Sequence, residues 1–265
     1  MLRRLLVDFL FSLRSRATVR RDLVYRRIGK RALKLDLYFP RNPPAAPPLI
    51  LCIHGGGWCS GDRNQCPNWM LANHGYAVAA IEYRLTNEAT FPAQLEDCQA
   101  AVKWLRENAI RCGFDARRIG VWGHSSGGHL ASLLGITGDV QAVCAISAPS
   151  DLILMHRNTA DNPVSDPRAP GAIEALLGGP VDAHSEEARA ASPIHFVSRQ
   201  SAPFLLIHGA RDRTVPLNQS ELFAAALSAA GVEIQLKIFQ HGRHSPGSLN
   251  RSRIVKGFFD RHLRS

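Results

Sequence analysis

The chain has 265 residues, 45% of them hydrophobic and 20% charged, with 21 glycines and 16 prolines. That composition excludes collagen-like, coiled-coil and disordered classes. The length fits one large α/β domain or two small ones, enough to bury a core without disulfides or a metal.

The formal net charge of +10 is unevenly distributed: residues 1–34 hold 11 Lys and Arg against two acids, and the remainder holds 21 against 20. A near-neutral body speaks against a nucleic-acid enzyme, which carries basic side chains along its working face. No run of 18 apolar residues occurs, so no membrane span is expected and the cytoplasm is the expected location. Six cysteines, at 52, 59, 66, 98, 112 and 144, include no CxxC pair, and several lie in apolar runs. They read as buried thiols, with neither a disulfide framework nor a zinc site.

In chain order, residues 1–20 form an expected N-terminal helix. Leu2, Leu5, Leu6, Phe9, Leu10 and Leu13 recur at steps of 3, 1, 3, 1 and 3, an apolar stripe that needs a partner. Asp8 interrupts the run and no small-residue cleavage site precedes Arg14, which disfavours a secretory signal. The expectation is a cap over a pocket mouth or a contact in a homodimer, with a membrane-surface helix as the alternative that suits the arginines.

Residues 21–265 read as a single α/β domain. Strands are expected at 22–28, 33–39, 49–54, 76–82, 118–123, 140–147, 203–208 and 233–239, and helices at 93–111, 126–136, 217–230 and 248–263. This alternation is the pattern of a mostly parallel sheet with helices on both faces. Residues 151–202, rich in Pro and Gly, break the rhythm and read as a pocket wall or small cap.

Chemistry concentrates at the ends of the strands. Gly123-His124-Ser125-Ser126-Gly127 lies between a strand and a helix, the G-x-S-x-G context of a nucleophile elbow with Ser125 as nucleophile. His54-Gly55-Gly56-Gly57-Trp58 follows an earlier strand, and the amides of Gly55, Gly56 and Ser126 are the expected donors to an oxyanion. Trp58 is the expected pocket residue, and His54 is expected to fix the loop by hydrogen bonding.

A serine hydroxyl needs a base, and the base needs an orienting carboxylate. Asp212, in the loop after strand 203–208, is the preferred acid and Asp151 its rival. His244, after the last strand, is the preferred base and His241 its rival. No HExxH, GxxxxGK[ST] or GxGxxG pattern occurs, so no metal or nucleotide cofactor is expected.

With HGGGW, GHSSGG, HGARDRTVP and HGRHS in that order, the sequence resembles the α/β-hydrolase superfamily. Within it, the sequence resembles the bacterial carboxylesterases and lipases of the hormone-sensitive-lipase-like and feruloyl-esterase-like groups. The stretch from Tyr83 to Gly135 carries most of the second likeness. The resemblance implies a Ser125–Asp212–His244 triad hydrolysing short- to medium-chain carboxylic esters through an acyl-enzyme, without a cofactor, on a small-molecule substrate. The alternatives are an amide or formamide hydrolase of arylformamidase or peptidase type and, from a different class, a silent hydrolase-fold binding protein. That last reading requires a missing triad member, and none is missing.

Overall fold

The structure, a computed structural model, describes residues 17–40, 46–66, 68–160, 162–247 and 249–264. The apolar stripe at the N-terminus lies outside them. Eight strands form one sheet: β1 (Ala17–Ile28), β2 (Arg31–Pro40), β3 (Pro48–Ile53), β4 (Ala77–Ile81), β5 (Asp115–His124), β6 (Ala142–Ile146), β7 (Phe204–Gly209) and β8 (Ile234–Phe239). Their order is β1-β2-β4-β3-β5-β6-β7-β8. β2 runs antiparallel to both neighbours and the other pairs are parallel.

The central strands are continuous apolar runs because both faces are covered, and their side chains divide by period two. Leu49, Leu51 and Ile53 of β3, Val121 of β5 and Val143 of β6 join one core with α2 (Ala93–Cys112), α3 (Ser126–Ile136) and α7 (Asn218–Ala229). Ile50, Cys52, Trp122 and Cys144 face the opposite core, with α1 (Asn68–Ala72) and α8 (Leu249–Leu263).

Two departures from the sequence expectations have physical causes. β1 starts at Ala17, paired with Pro40, so residues 17–20 belong to the sheet and not to the N-terminal helix. A register shift between Arg20 and Leu23 interrupts the period-two pattern there. Asp22 sits in it at φ 57°, its amide donating to Asp36 Oδ1 at 2.8 Å. The 151–202 excursion contains three helices that sequence periodicity did not resolve: α4 (Leu152–Ala160), α5 (Ala169–Leu177) and α6 (Ser185–Ala190). They bury Leu152, Met155, Ile173, Leu176 and Ala188 in the first core.

β3 to β8 end on the same edge of the sheet. The loops that follow β3, β5, β7 and β8 there carry His54–Trp58, Ser125, Asp212 and His244.

Candidate active site

Ser125 occupies the turn between β5 and α3 with φ 56° and ψ −126°, a conformation costing a non-glycine residue about 1–3 kcal/mol. The turn is tight enough to demand glycine on both sides. A Cβ on Gly123 would lie 2.1 Å from the carbonyl oxygen of Gly127, and one on Gly127 would lie 2.1 Å from that of Ile53. Neighbouring backbone holds the strain in place, with the Ser125 amide donating to Ile146 O at 2.8 Å and its carbonyl accepting from His129 N at 3.0 Å.

His244 Nε2 lies 3.0 Å from Ser125 Oγ, and His244 Nδ1 lies 2.8 Å from Asp212 Oδ2. The Asp212 side chain is fully buried and the His244 ring a quarter exposed. Oδ1 of Asp212 accepts from the amides of Thr214 (2.9 Å) and Val215 (3.0 Å), and His208 Nε2 stands 3.3 Å from Oδ2. Burial pushes the Asp212 carboxyl upward. Hydrogen bonds from His208 and His244, the His244 charge and the Val215 amide outweigh that push and hold it well below the ordinary carboxylate range. Asp212 is therefore an anion across the working pH range, and a carboxylate accepting from Nδ1 leaves His244 Nε2 free to serve Ser125.

The glycine-rich loop after β3 lies against the elbow. A Cβ on Gly55 would meet His124 O at 2.7 Å and Ser125 Cβ at 3.3 Å. Gly56 has φ 125°, where a Cβ would stand 2.2 Å from Ser60 O. Among the described residues, no acceptor engages the amides of Gly55, Gly56 or Ser126.

Two histidines brace this region. His54 Nδ1 is 2.9 Å from Gly55 O, and its ring stacks on Tyr83 at 4.3 Å. His129 Nδ1 accepts from Trp58 Nε1 at 3.2 Å while Nε2 donates to Ala191 O at 2.6 Å, linking the glycine loop, α3 and the 151–202 excursion. Burial drives His129 down to about 4, against the hydrogen bond to Ala191, so its ring is neutral.

The loops surround a cavity of about 710 Å³. Trp58, Met155, Ala172 and Val215 supply apolar wall, and Asp166, Arg168 and Arg251 supply charge. Within 151–202, α5 supplies Ala169, Gly171, Ala172 and Ala175 to the lining, α4 supplies Met155, and the segment between them supplies Asp166 and Arg168.

The rival residues lie elsewhere. Asp151 Oδ1 accepts from the Leu154 amide at 2.9 Å in the first turn of α4, and His241 is exposed in the turn after β8. Sequence reasoning missed His208 and gave His124 only a place in the elbow; His124 Nε2 is 2.7 Å from the carbonyl of His244. The HGARD stretch was the available signal for His208, since it sets that residue four before the acid at a strand end. Among the described residues, no cluster of three or more His, Cys, Asp or Glu is arranged to hold a metal, and no helix is long and apolar enough to cross a membrane.

A family model described as BD-FAE matches residues 35–227. The chain belongs to the BD-FAE family. Its fold is that of the α/β-hydrolases: a carbohydrate esterase from gut microbiota, solved in truncated form, superposes with a TM-score of 0.82 at 27% identity, covering 94% of this chain and 97% of its own. Among curated relatives, Esterase LipC of Mycobacterium tuberculosis is 31% identical over 74% of this chain and 52% of its own length. Ethyl acetate hydrolase of Pseudomonas putida is 30% identical over 80% and 70% respectively. The chain thus spans about half the length of LipC, and likewise of LipQ from the same organism. LipC, LipQ and the gut-microbiota enzyme carry the name esterase, and the Pseudomonas putida relative is named an ethyl acetate hydrolase.

Proposed function

We propose that this BD-FAE chain is a serine carboxylic-ester hydrolase acting on short- to medium-chain esters. One observation carries the reading: Ser125 Oγ, both ring nitrogens of His244 and Asp212 Oδ2 stand in hydrogen-bond sequence at 3.0 and 2.8 Å. In the proposed reaction His244 Nε2 takes the Ser125 proton as Oγ attacks the ester carbonyl. The amides of Gly55, Gly56 and Ser126 receive the developing oxyanion, where each donor is worth about 10²–10³-fold in rate. Protonated His244, stabilised by Asp212, delivers its proton to the departing alcohol. Water then attacks the acyl-enzyme by the same route in reverse, and no cofactor takes part.

The relatives named as esterases, including the ethyl acetate hydrolase, support a small-molecule ester substrate. Residues 1–16 would then serve as a cap or a homodimer contact, and the cytoplasm remains the proposed location. The test is hydrolysis of nitrophenyl esters of graded acyl length, with and without a serine-directed phosphonate. Expected are turnover, inactivation, and one phosphonyl adduct located on Ser125 by mass spectrometry. Absence of ester turnover, or an adduct elsewhere with activity lost, overturns the reading.

A further inference from the structure

His208 is a buried titratable side chain beside the site for which the proposed steps have no task. It is the fifth residue of β7, fully buried, four positions before Asp212. Its two nitrogens face different chemistry. Nδ1 lies 2.7 Å from Ser220 Oγ on α7, whereas Nε2 lies 2.9 Å from Val215 O and 3.3 Å from Asp212 Oδ2. Both neighbours of Nε2 are acceptors, a carbonyl and an ionised carboxylate. The hydrogen therefore sits on Nε2, bonded to Val215 O with Asp212 Oδ2 as its longer second neighbour, and Nδ1 accepts from the Ser220 hydroxyl.

This arrangement does something the other contacts to Asp212 do not. Oδ1 is pinned by the amides of Thr214 and Val215, both from the acid's own loop. Carboxylate torsions are broad, so two donors on one oxygen leave the other free to swing. The remaining side chains against Oδ2 are His244, at 2.8 Å and carried by a separate loop, and His208, at 3.3 Å and carried by the sheet. Val215 closes the circuit, giving its amide to Oδ1 and receiving the His208 hydrogen on its carbonyl. The carboxylate is thereby tied to β7 and, through Ser220, to α7.

We propose that His208 is a positioning residue that fixes Asp212 Oδ2 on the line to His244 Nδ1, and so keeps His244 Nε2 aimed at Ser125. The inference rests on the ester-hydrolase reading of Ser125, His244 and Asp212. Gln at position 208 sets an amide N–H near the place of Nε2. Asn reaches only the place of Nδ1, so the two variants separate the donor from general polarity.

Steady-state kcat on a short nitrophenyl ester is measured for His208→Gln and His208→Asn, alone and combined with Asp212→Ala, with thermal melting to establish the folded fraction. His208→Gln is expected within about threefold of wild type and His208→Asn tenfold or more below it. On the Asp212→Ala background the same His208→Asn change is expected to cost less than twofold, because its partner is gone. Equal kcat for the Gln and Asn variants overturns the proposal, as does an undiminished cost of His208→Asn when Asp212 is absent. Wild-type kcat in Asp212→Ala alone overturns the ester-hydrolase assignment of Asp212 instead, which keeps the two failures apart.

Discussion

His124 donates through Nε2 to the carbonyl of His244 at 2.7 Å, so the residue preceding Ser125 holds the backbone of the loop that carries His244. A carbonyl only accepts, so the hydrogen of His124 must be on Nε2. Burial pushes His124 down to about 4, with the bond to His244 opposing, and the ring is neutral at working pH. Replacing it by Phe keeps an aromatic body but removes the donor. His124→Phe is expected to lower kcat about tenfold with KM little changed, since small misplacements of a base are costly. Steady-state kinetics on a short ester decide it, and an unchanged kcat removes the positioning role.

The neutral histidines also set an acid limit on stability. His124 and His129 both have folded values of about 4 against an ordinary 6.5. Between those values the unfolded chain binds more protons than the folded one, so stability falls as pH drops from 6.5 towards 4 and the loss levels off below. Each histidine contributes a slope of up to about 1.4 kcal/mol per pH unit in that window. Urea unfolding midpoints at pH 7.5 and 4.5 should therefore differ by less in His129→Gln than in wild type. An equal drop in both proteins contradicts the assignment.

Ser125→Ala should fold and melt as wild type while losing three to six orders of magnitude in turnover, with binding and oxyanion contacts left behind (about 10³–10⁴ over water). Near-normal ester hydrolysis by this variant would falsify the mechanism as a whole.

The paired candidates separate cleanly. His244→Ala removes the group 3.0 Å from Ser125 Oγ, and Asp212→Asn removes the charge that orients it. Both are expected to lose at least about 10³-fold in kcat. His241→Ala changes an exposed turn residue, and Asp151→Asn keeps an acceptor for the Leu154 amide, so both should retain most activity. A dead His241→Ala with an active His244→Ala would reverse the assignment.

The strands were legible because each central one is an apolar run covered on both faces, and the helices 93–111 and 126–136 because their patterns are long and closed by turns. A strand end, a glycine pair and chain order put Ser125, Asp212 and His244 on one edge of the sheet, while Asp151 and His241 stayed as rivals in the sequence. The contacts of His208 were not legible. Their meaning depends on Val215 and Ser220 folding back over β7, which no local pattern encodes. The excursion helices α4, α5 and α6 escaped for a related reason. They are short, and what stabilises them is burial of residues such as Ile173 and Leu176 against a core assembled from distant segments.

Substrate length should respond to that excursion at one position. Ala172 of α5 lines the cavity beside the glycine loop, close enough that a Cβ on Gly57 would stand 3.3 Å from its own Cβ. A larger side chain there projects into space next to the proposed oxyanion donors, where an acyl chain or an alcohol group must lie. Ala172→Phe at this partly buried wall position can turn into the cavity without disturbing the sheet, so the fold should survive. Binding of a small acetyl ester, which leaves most of the 710 Å³ unfilled, should change little. Binding of an octanoyl ester competes with the new ring. The ratio of kcat/KM for octanoate over acetate nitrophenyl esters is expected to fall by about tenfold, a size of effect ordinary for apolar pocket contacts. The measurement is that ratio for both proteins. An unchanged or increased octanoate preference places the acyl chain away from α5 and removes this wall from the specificity of the site.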